Sequence, residues 1–414
     1  MEIILTTVGF IGLGKLGMAC AEVMAEQYEV FGYDIAPRKS ETVRVKATLA
    51  EAVRGRDIVF VAVQTPHSPE YDGSTPSLHL PPKDFDYSTV QAVLADINQY
   101  VTRDQLVVLI STCLPGTTRR QLVENITNAR FVYNPYLIAM GSVKWDMVNP
   151  EMVIIGTEDG SETTDARELI EFYQPLMQNS PRYAVGTWDE AESIKIFYNT
   201  MISTKIGLAN MIMDIAVKNG NINVDVVTNA LAESTMRIMS PKYMKAGMGD
   251  SGGCHPRDNI ALRYLSERLG LGYDLFGAIM GARDLQAQNL AAYLAGQHSA
   301  TGLPVVIHGK AFKPDVDVVD GSYSLLIGHY LAEMGVAFDY VDPLTGDTPT
   351  VVGPCICFLA HNRQVTYGYT AAVAEQNLYI DLAPGSIVVD PWRDFSTARN
   401  DIQVTHYGNT RGTQ

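Results

Sequence analysis

Along the first part of the chain, short apolar runs alternate with stretches whose apolar residues recur at helical spacing. The runs are Ile3–Ile11, Glu29–Tyr33, Asp57–Val63, Leu106–Ile110, Phe131–Tyr133 and Met152–Gly156. This alternation predicts a parallel sheet with helices on both faces. The segment Thr65–Asp86, rich in Pro, Ser and Asp, reads as a surface loop. From about Asp189 to Gln297 the strand signals stop. Ala, Leu, Ile and Met recur at helical spacing there, and Glu190–Lys218 predicts one long helix of the kind that often carries a subunit interface. From Gly302 strand runs return at Leu303–His308, Ala337–Val341, Val351–Leu359, Leu378–Leu382 and Ser386–Asp390, predicting a second, smaller doubly wound domain.

The first run leads into Gly12-Leu13-Gly14-Lys15-Leu16-Gly17 and then a helical pattern. The first glycine turns the chain, the second admits a pyrophosphate to the backbone, and the third lets helix pack on strand. The second run ends in Asp34, where an acid bonds ribose hydroxyls and repels a 2′-phosphate, so NAD is expected over NADP even though Arg38 and Lys39 follow. Two further loops follow strands at the carboxyl edge, Val63–Pro66 and Ser111–Thr118. The expected cofactor set is Gly12, Gly14, Leu16, Gly17, Asp34, Thr65 and Thr112. The fold class is α/β: an N-terminal Rossmann domain (1–188), a central all-helical, dimerising region (189–298) and a C-terminal Rossmann-like domain (299–414).

Composition narrows the partners. The 414 residues are 46% hydrophobic and 19% charged, enough for two or three domains that each bury a core. A formal net charge of −15 argues against general nucleic-acid binding, so an anionic substrate needs a local basic cluster. The five cysteines lack metal-ligand spacing and suggest reduced thiols in a cytoplasm-like compartment. Cys355 and Cys357 sit in an apolar run and read as core strand. No signal peptide is seen and no apolar run approaches a membrane span, so no membrane partner is expected.

Two more clusters carry chemistry. Glu192, Lys195 and Asn199 are spaced to share one helix face. By spacing alone such a stripe is an ordinary solvated face, but a cation and an amide there also suit a developing alkoxide. Cys254 follows Gly252 and Gly253, which permit close backbone approach, and Arg257 and Lys195 are cations able to lower its pKa. His255 is read as structural, because neighbours in an extended segment point opposite ways. A thiol beside a nicotinamide site can trap an aldehyde as a thiohemiacetal and pass through a thioester, taking an alcohol to a carboxylate.

These motifs, in this order over essentially the whole chain, resemble the UDP-glucose/GDP-mannose dehydrogenase family. The resemblance runs through Gly12–Gly17, Asp34, Thr65-Pro66, Ser111-Thr112 with Pro115-Gly116-Thr117, Asn134-Pro135 and Gly141. It continues through Glu192, Lys195, Asn199, Cys254, Pro256, Arg257, Asp258, Phe312-Lys313-Pro314 and Asp342-Pro343. It implies NAD-dependent oxidation of a nucleotide sugar at C6, with UDP-glucose the default substrate, by a cytoplasmic homodimer. It implies Cys254 as nucleophile, Lys195 as oxyanion stabiliser, Asn199 as substrate orienter, Asp258 as the residue ordering a water or the lysine, and Thr112 as a water-positioning residue. Lys313 would contact the substrate near its sugar–phosphate part.

Three positions depart from the family pattern, one of them Met140, which replaces a second acid common in the best-known members. Tyr136 stands where the family carries a glutamate acting as base for thioester hydrolysis, and Asp320 stands near where many members carry an arginine, a loss that Arg393 could offset. A tyrosine of pKa about 10 is a poor base at neutral pH. Either another group, Asp258 or a water held by Thr112, supplies the base, or oxidation is incomplete or deacylation slow; the alternative of another class is a non-catalytic ligand-binding paralogue.

Overall fold

The computed structural model describes residues 6–66, 81, 83–139, 141–240, 246–250, 252, 254–314, 316–348, 353–361 and 381–409. The side chains of Cys254, Arg257 and Ala261 fall outside the described part, as do most of the predicted 65–86 loop and residues 378–380 of a predicted strand. The chain forms two compact units, Met1–Lys205 and Ile206–Gln414.

In the first unit strands β1 (Thr7–Ile11), β2 (Glu29–Tyr33), β3 (Arg44–Val45), β4 (Ile58–Val61), β5 (Leu106–Leu109), β6 (Arg130–Tyr133), β7 (Met152–Thr157) and β8 (Arg182–Thr187) make one sheet. Its order is β3-β2-β1-β4-β5-β6-β7-β8. All neighbours are parallel except β6 and β7, which meet antiparallel at a single pair, Tyr133 opposite Gly156. That pair departs from the all-parallel expectation, and β3 and β8 were not legible as apolar runs. Helices α1 (Lys15–Met24), α2 (Leu49–Val53), α3 (Ser88–Asn98), α4 (Val143–Val148) and α5 (Thr164–Tyr173) connect the strands.

Alternate residues of the central strands feed two cores. Val8, Phe10, Ile58, Phe60, Leu106 and Val108 face one; Ile11, Val59, Val61, Val107 and Leu109 face the other. A strand covered on both faces must be apolar throughout, which is why these segments show as uninterrupted runs. Phe60 is fully buried, and truncating such a ring to alanine costs about 3–5 kcal/mol.

The helix α6 (Trp188–Asn219) agrees with the predicted long helix. Contrary to the expectation from the sequence, it is long and apolar enough, by length and composition, to cross a membrane. In the second unit α7 (Val224–Ala232), α8 (Cys254–Arg268) and α9 (Leu275–Thr301) precede a five-stranded parallel sheet of β9 (Val305–His308), β10 (Phe338–Val341), β11 (Ile356–Leu359), β12 (Ile387–Asp390) and β13 (Gln403–His406), with α10 (Tyr323–Glu333) following β9. The order β10-β9-β11-β12-β13 puts a topological switch between β9 and β11, where doubly wound sheets bind ligands. Cys355 and Cys357 are buried, in keeping with a core strand.

Candidate active site

The cofactor edge of the first unit is built from backbone. After β1 the chain turns through Gly12, whose φ is 96° and whose absent Cβ would lie 2.8 Å from the Ala62 carbonyl oxygen. Only glycine fits there. A Cβ on Gly17 would collide with the Gly12 carbonyl oxygen, so α1 lies against the turn only because that atom is missing. Among the described residues, a Cβ at Gly14 would meet nothing within 4 Å and no side chain caps α1. The first-turn N–H groups, that of Leu16 among them, therefore stand at an open backbone of the kind that takes a pyrophosphate. Asp34 Oδ1 accepts from Ala36 N at 2.8 Å and lies 3.5 Å from Arg38 Nε. The arginine that followed the acid in sequence is thus engaged with it, and the residues present fit NAD.

The two loops after β4 and β5 are sewn together. Thr65 Oγ1 donates to the Thr112 carbonyl at 2.9 Å, and Ser111 Oγ donates to the Val63 carbonyl at 2.6 Å. Thr65 and Thr112, separate in sequence, thereby form one edge above the strands.

Helix α6 enters this edge with a fixed register. Thr187 N donates to Glu190 Oε2 at 2.9 Å and Glu190 N to Thr187 Oγ1 at 3.2 Å, a reciprocal cap that sets where the helix begins. Glu192 is fully buried, and its carboxylate accepts from Gly116 N at 2.5 Å and Thr118 N at 2.7 Å. Burial raises its pKa above the ordinary carboxyl value, against the amide bonds that lower it. One turn on, Lys195 Nζ donates to the Tyr136 carbonyl at 2.7 Å, and burial lowers the pKa of its ammonium. Asn199 is exposed another turn along. The stripe is therefore not the solvated face that spacing alone favours: two of its three members are drawn inward.

The Tyr136 side chain is committed elsewhere. Its hydroxyl lies 2.8 Å from that of Tyr173, which donates to Asn134 Oδ1 at 2.6 Å; Asn134 Nδ2 donates to the Ile154 carbonyl at 2.6 Å. Burial holds the Tyr136 hydroxyl well above its ordinary pKa. It is a structural phenol, unfit to take a proton from water.

Cys254, Asp258, Lys313 and Arg393 belong to the second unit. Cys254 is the first residue of α8, with Asp258 exposed one turn later. The segment is helical, which corrects the extended geometry expected around His255; the His255 side chain is exposed, with Nδ1 3.8 Å from Asp250 Oδ2. Lys313 is exposed, with Nζ 5.2 Å from the Phe312 ring centre. Lys310 does not add to its charge, because Lys310 Nζ is paired with Asp347 at 2.9 Å. Arg393 adopts φ of 61° and donates to the carbonyls of Ala246 at 2.5 Å, Tyr407 at 3.1 Å and Pro391, which makes it a cross-link within its own unit. Sequence reasoning noted Asp342 only as a motif residue. It is buried and accepts from the backbone N–H of Lys310 and Ala311, both at 3.0 Å, so it shapes the loop after β9.

Comparison with known proteins agrees with this geometry. Residues 36–177 match the NAD-binding domain of the UDP-glucose/GDP-mannose dehydrogenase family, and residues 189–282 match its central domain. The UDP-glucose 6-dehydrogenase TuaD of Bacillus subtilis is 26% identical over 72% of this chain and 61% of its own length. The UDP-glucose 6-dehydrogenase of Pseudomonas aeruginosa is 30% identical over 72% of this chain and 64% of its own. The chain thus spans a little over three fifths of each of these relatives. A crystal structure of a ternary complex of GDP-mannose dehydrogenase from Pseudomonas aeruginosa superposes with a TM-score of 0.77 at 19% identity, covering 97% of this chain and 99% of that one, a likeness of fold. With both domain models matched in order and the cofactor edge intact, this chain belongs to the UDP-glucose/GDP-mannose dehydrogenase family.

Proposed function

We propose that the protein is a cytoplasmic, NAD-dependent nucleotide-sugar 6-dehydrogenase, with UDP-glucose the default substrate, that carries a C6 alcohol to the carboxylate through Cys254. Residues 1–188 hold NAD, 189–298 dimerise, and 299–414 hold the nucleotide part at the β9–β11 switch near Lys313. The observation that carries this reading is the capped α6, which brings a half-buried, desolvated Lys195 to the same unit edge as Thr65 and Thr112. When bound, NAD supplies the hydride acceptor. Lys195, with its pKa lowered by burial, steadies the oxyanion that develops at C6. The Cys254 sulfur adds to the aldehyde carbon; hydride loss from that adduct leaves a thioester, and water releases the acid. Asn199 and Arg257 orient the substrate, and Asp258 and Thr112 position the water.

One observation favours a slow final step. Tyr136 replaces the glutamate that the family resemblance implies, and its hydroxyl is locked against Tyr173 with a raised pKa, so it offers no base for deacylation. In that case wild type accumulates an acyl adduct on Cys254 during turnover, detectable by rapid quench and intact-protein mass spectrometry.

The test is an NADH assay over UDP-glucose, UDP-N-acetyl sugars and GDP-mannose, scored as NADH per sugar consumed. Full oxidation gives two. Cys254→Ser should lose nearly all acid production while still binding NAD. Acid production by Cys254→Ser would overturn the covalent route. Thermal stabilisation by NAD and sugar nucleotide without any NADH would make the protein a binding paralogue instead.

A further inference from the structure

The segment Asn134–Ser142 is tied at both ends. At its far end Asp146 Oδ2 accepts from Ala139 N and Ser142 Oγ, each at 2.8 Å. At its near end the buried hydroxyl of Tyr173, from α5, joins Tyr136 to Asn134, and Asn134 is pinned in turn to β7 through the Ile154 carbonyl. Between these anchors the Tyr136 carbonyl points at Lys195 Nζ, 2.7 Å away. Among the described residues that carbonyl is the sole hydrogen-bond acceptor of the ammonium.

We infer that Tyr173 is a positioning residue for Lys195: by fixing the Tyr136 side chain from the interior, it holds the backbone carbonyl that aims and dehydrates the ammonium. The inference rests on Lys195 belonging to the reactive site, as proposed above. The chain behind the carbonyl is uncharged near neutral pH. Burial pushes the Tyr136 and Tyr173 hydroxyls up, and the neighbouring Cys20 thiol rises to about 12. Glu192, the carboxylate one turn before Lys195, is spent on Gly116 and Thr118. The lowered Lys195 pKa has burial as its cause. Loosening the segment therefore lets water reach Nζ and returns it toward ordinary lysine behaviour.

Tyr173→Phe deletes only the hydroxyl that makes both bonds. Tyr28→Phe is the control, since Tyr28 hydroxyl bonds the Phe172 carbonyl at 2.6 Å on the same helix without touching residue 136. The readout needs no substrate: full-length protein is acylated with limiting acetic anhydride across pH, and Lys195 labelling is followed by peptide mass spectrometry. Wild type should label with a midpoint below that of ordinary lysines. Tyr173→Phe should show roughly tenfold lower labelling at pH 7 with an unchanged plateau at high pH, equivalent to about 1.4 kcal/mol; Tyr28→Phe should match wild type. Tyr136→Phe breaks the same tie from the other side and carries the same expectation, so poor folding of one variant leaves the other to decide. A wild-type midpoint in Tyr173→Phe, or an equal shift in Tyr28→Phe, overturns the inference. A wild type that makes no NADH would sink the proposed function while leaving this labelling result to stand or fall alone.

Discussion

Asp34 separates two jobs at the scale of a single side chain. In the proposed cofactor site the backbone around Gly12, Gly14 and Gly17 takes what NAD and NADP share, and the carboxylate at the end of β2 takes what differs between them. Asp34→Ala should weaken NAD and relax the preference against NADP. A hydrogen bond to a charged group is worth about 1.5–3 kcal/mol, so the ratio of catalytic efficiencies should move by roughly tenfold or more. Side-by-side kinetics with both cofactors check this, and an unchanged ratio would remove Asp34 from the discriminating role. The acid was legible because strand, turn and helix punctuate it in sequence. Tyr173 was not legible as the partner of Tyr136 and Asn134, because its bonds to them span 37 and 39 residues and no local periodicity encodes them.

On the scale of an element, α6 is the informative case. Its existence and extent were plain from residue spacing, yet the same spacing misread its polar stripe as solvated. The difference lies in Glu192, whose partners are backbone N–H groups of a distant loop and so have no side-chain signature. Glu192→Gln keeps one acceptor oxygen but turns an NH2 toward the second amide. It should cost about 1–3 kcal/mol of stability, the penalty for a buried donor left unpaired. The pH dependence has a definite sign. Burial raises the folded pKa of Glu192, so its carboxyl binds a proton more readily in the folded than in the unfolded state. Its contribution to stability is largest below the ordinary carboxyl value and falls as pH rises through the raised one. The deficit of Glu192→Gln relative to wild type should therefore be greater near pH 4.5 than at pH 7. Urea midpoints at the two values decide it, and a deficit that grows with pH would contradict the assignment.

Taken whole, the molecule exposes more apolar surface along its central helices than a lone soluble chain ordinarily does. Val217 on α6 is 78% exposed and Val226 on α7 is 66% exposed, and Ile206, Met213, Ile260 and Tyr264 are open as well. Apolar side chains left open on three successive helices are what a partner would cover, and a second copy of the chain is the proposed one. Wild type should sediment as a dimer at micromolar concentration, and Val217→Asp should shift it toward monomer. A wild-type monomer that floats with lipid vesicles would instead assign the surface, and the membrane-length apolar stretch of α6, to a bilayer. The two sheets were legible because buried strands read as apolar runs. The strands β3, β8 and β13 were missed because they are short or only partly covered, and their residues alternate too weakly to stand out.

The single antiparallel pair between β6 and β7 makes a seam in an otherwise continuous ladder. Beyond it β7 and β8 are joined by six paired positions and carry α5 between them. With one ladder pair at the seam, the block is held to the rest through side chains: Arg130 of β6 pairs with Asp165 and Glu168, and Phe172 and Tyr173 share a core with Val8, Phe10 and Phe60. The block contains Tyr173, the Ile154 carbonyl and the strand that leads into α6. Losing that block would remove the Tyr173 tie behind Lys195 and uncover the core beneath the dinucleotide turn at once, so the two edges stand or fall together.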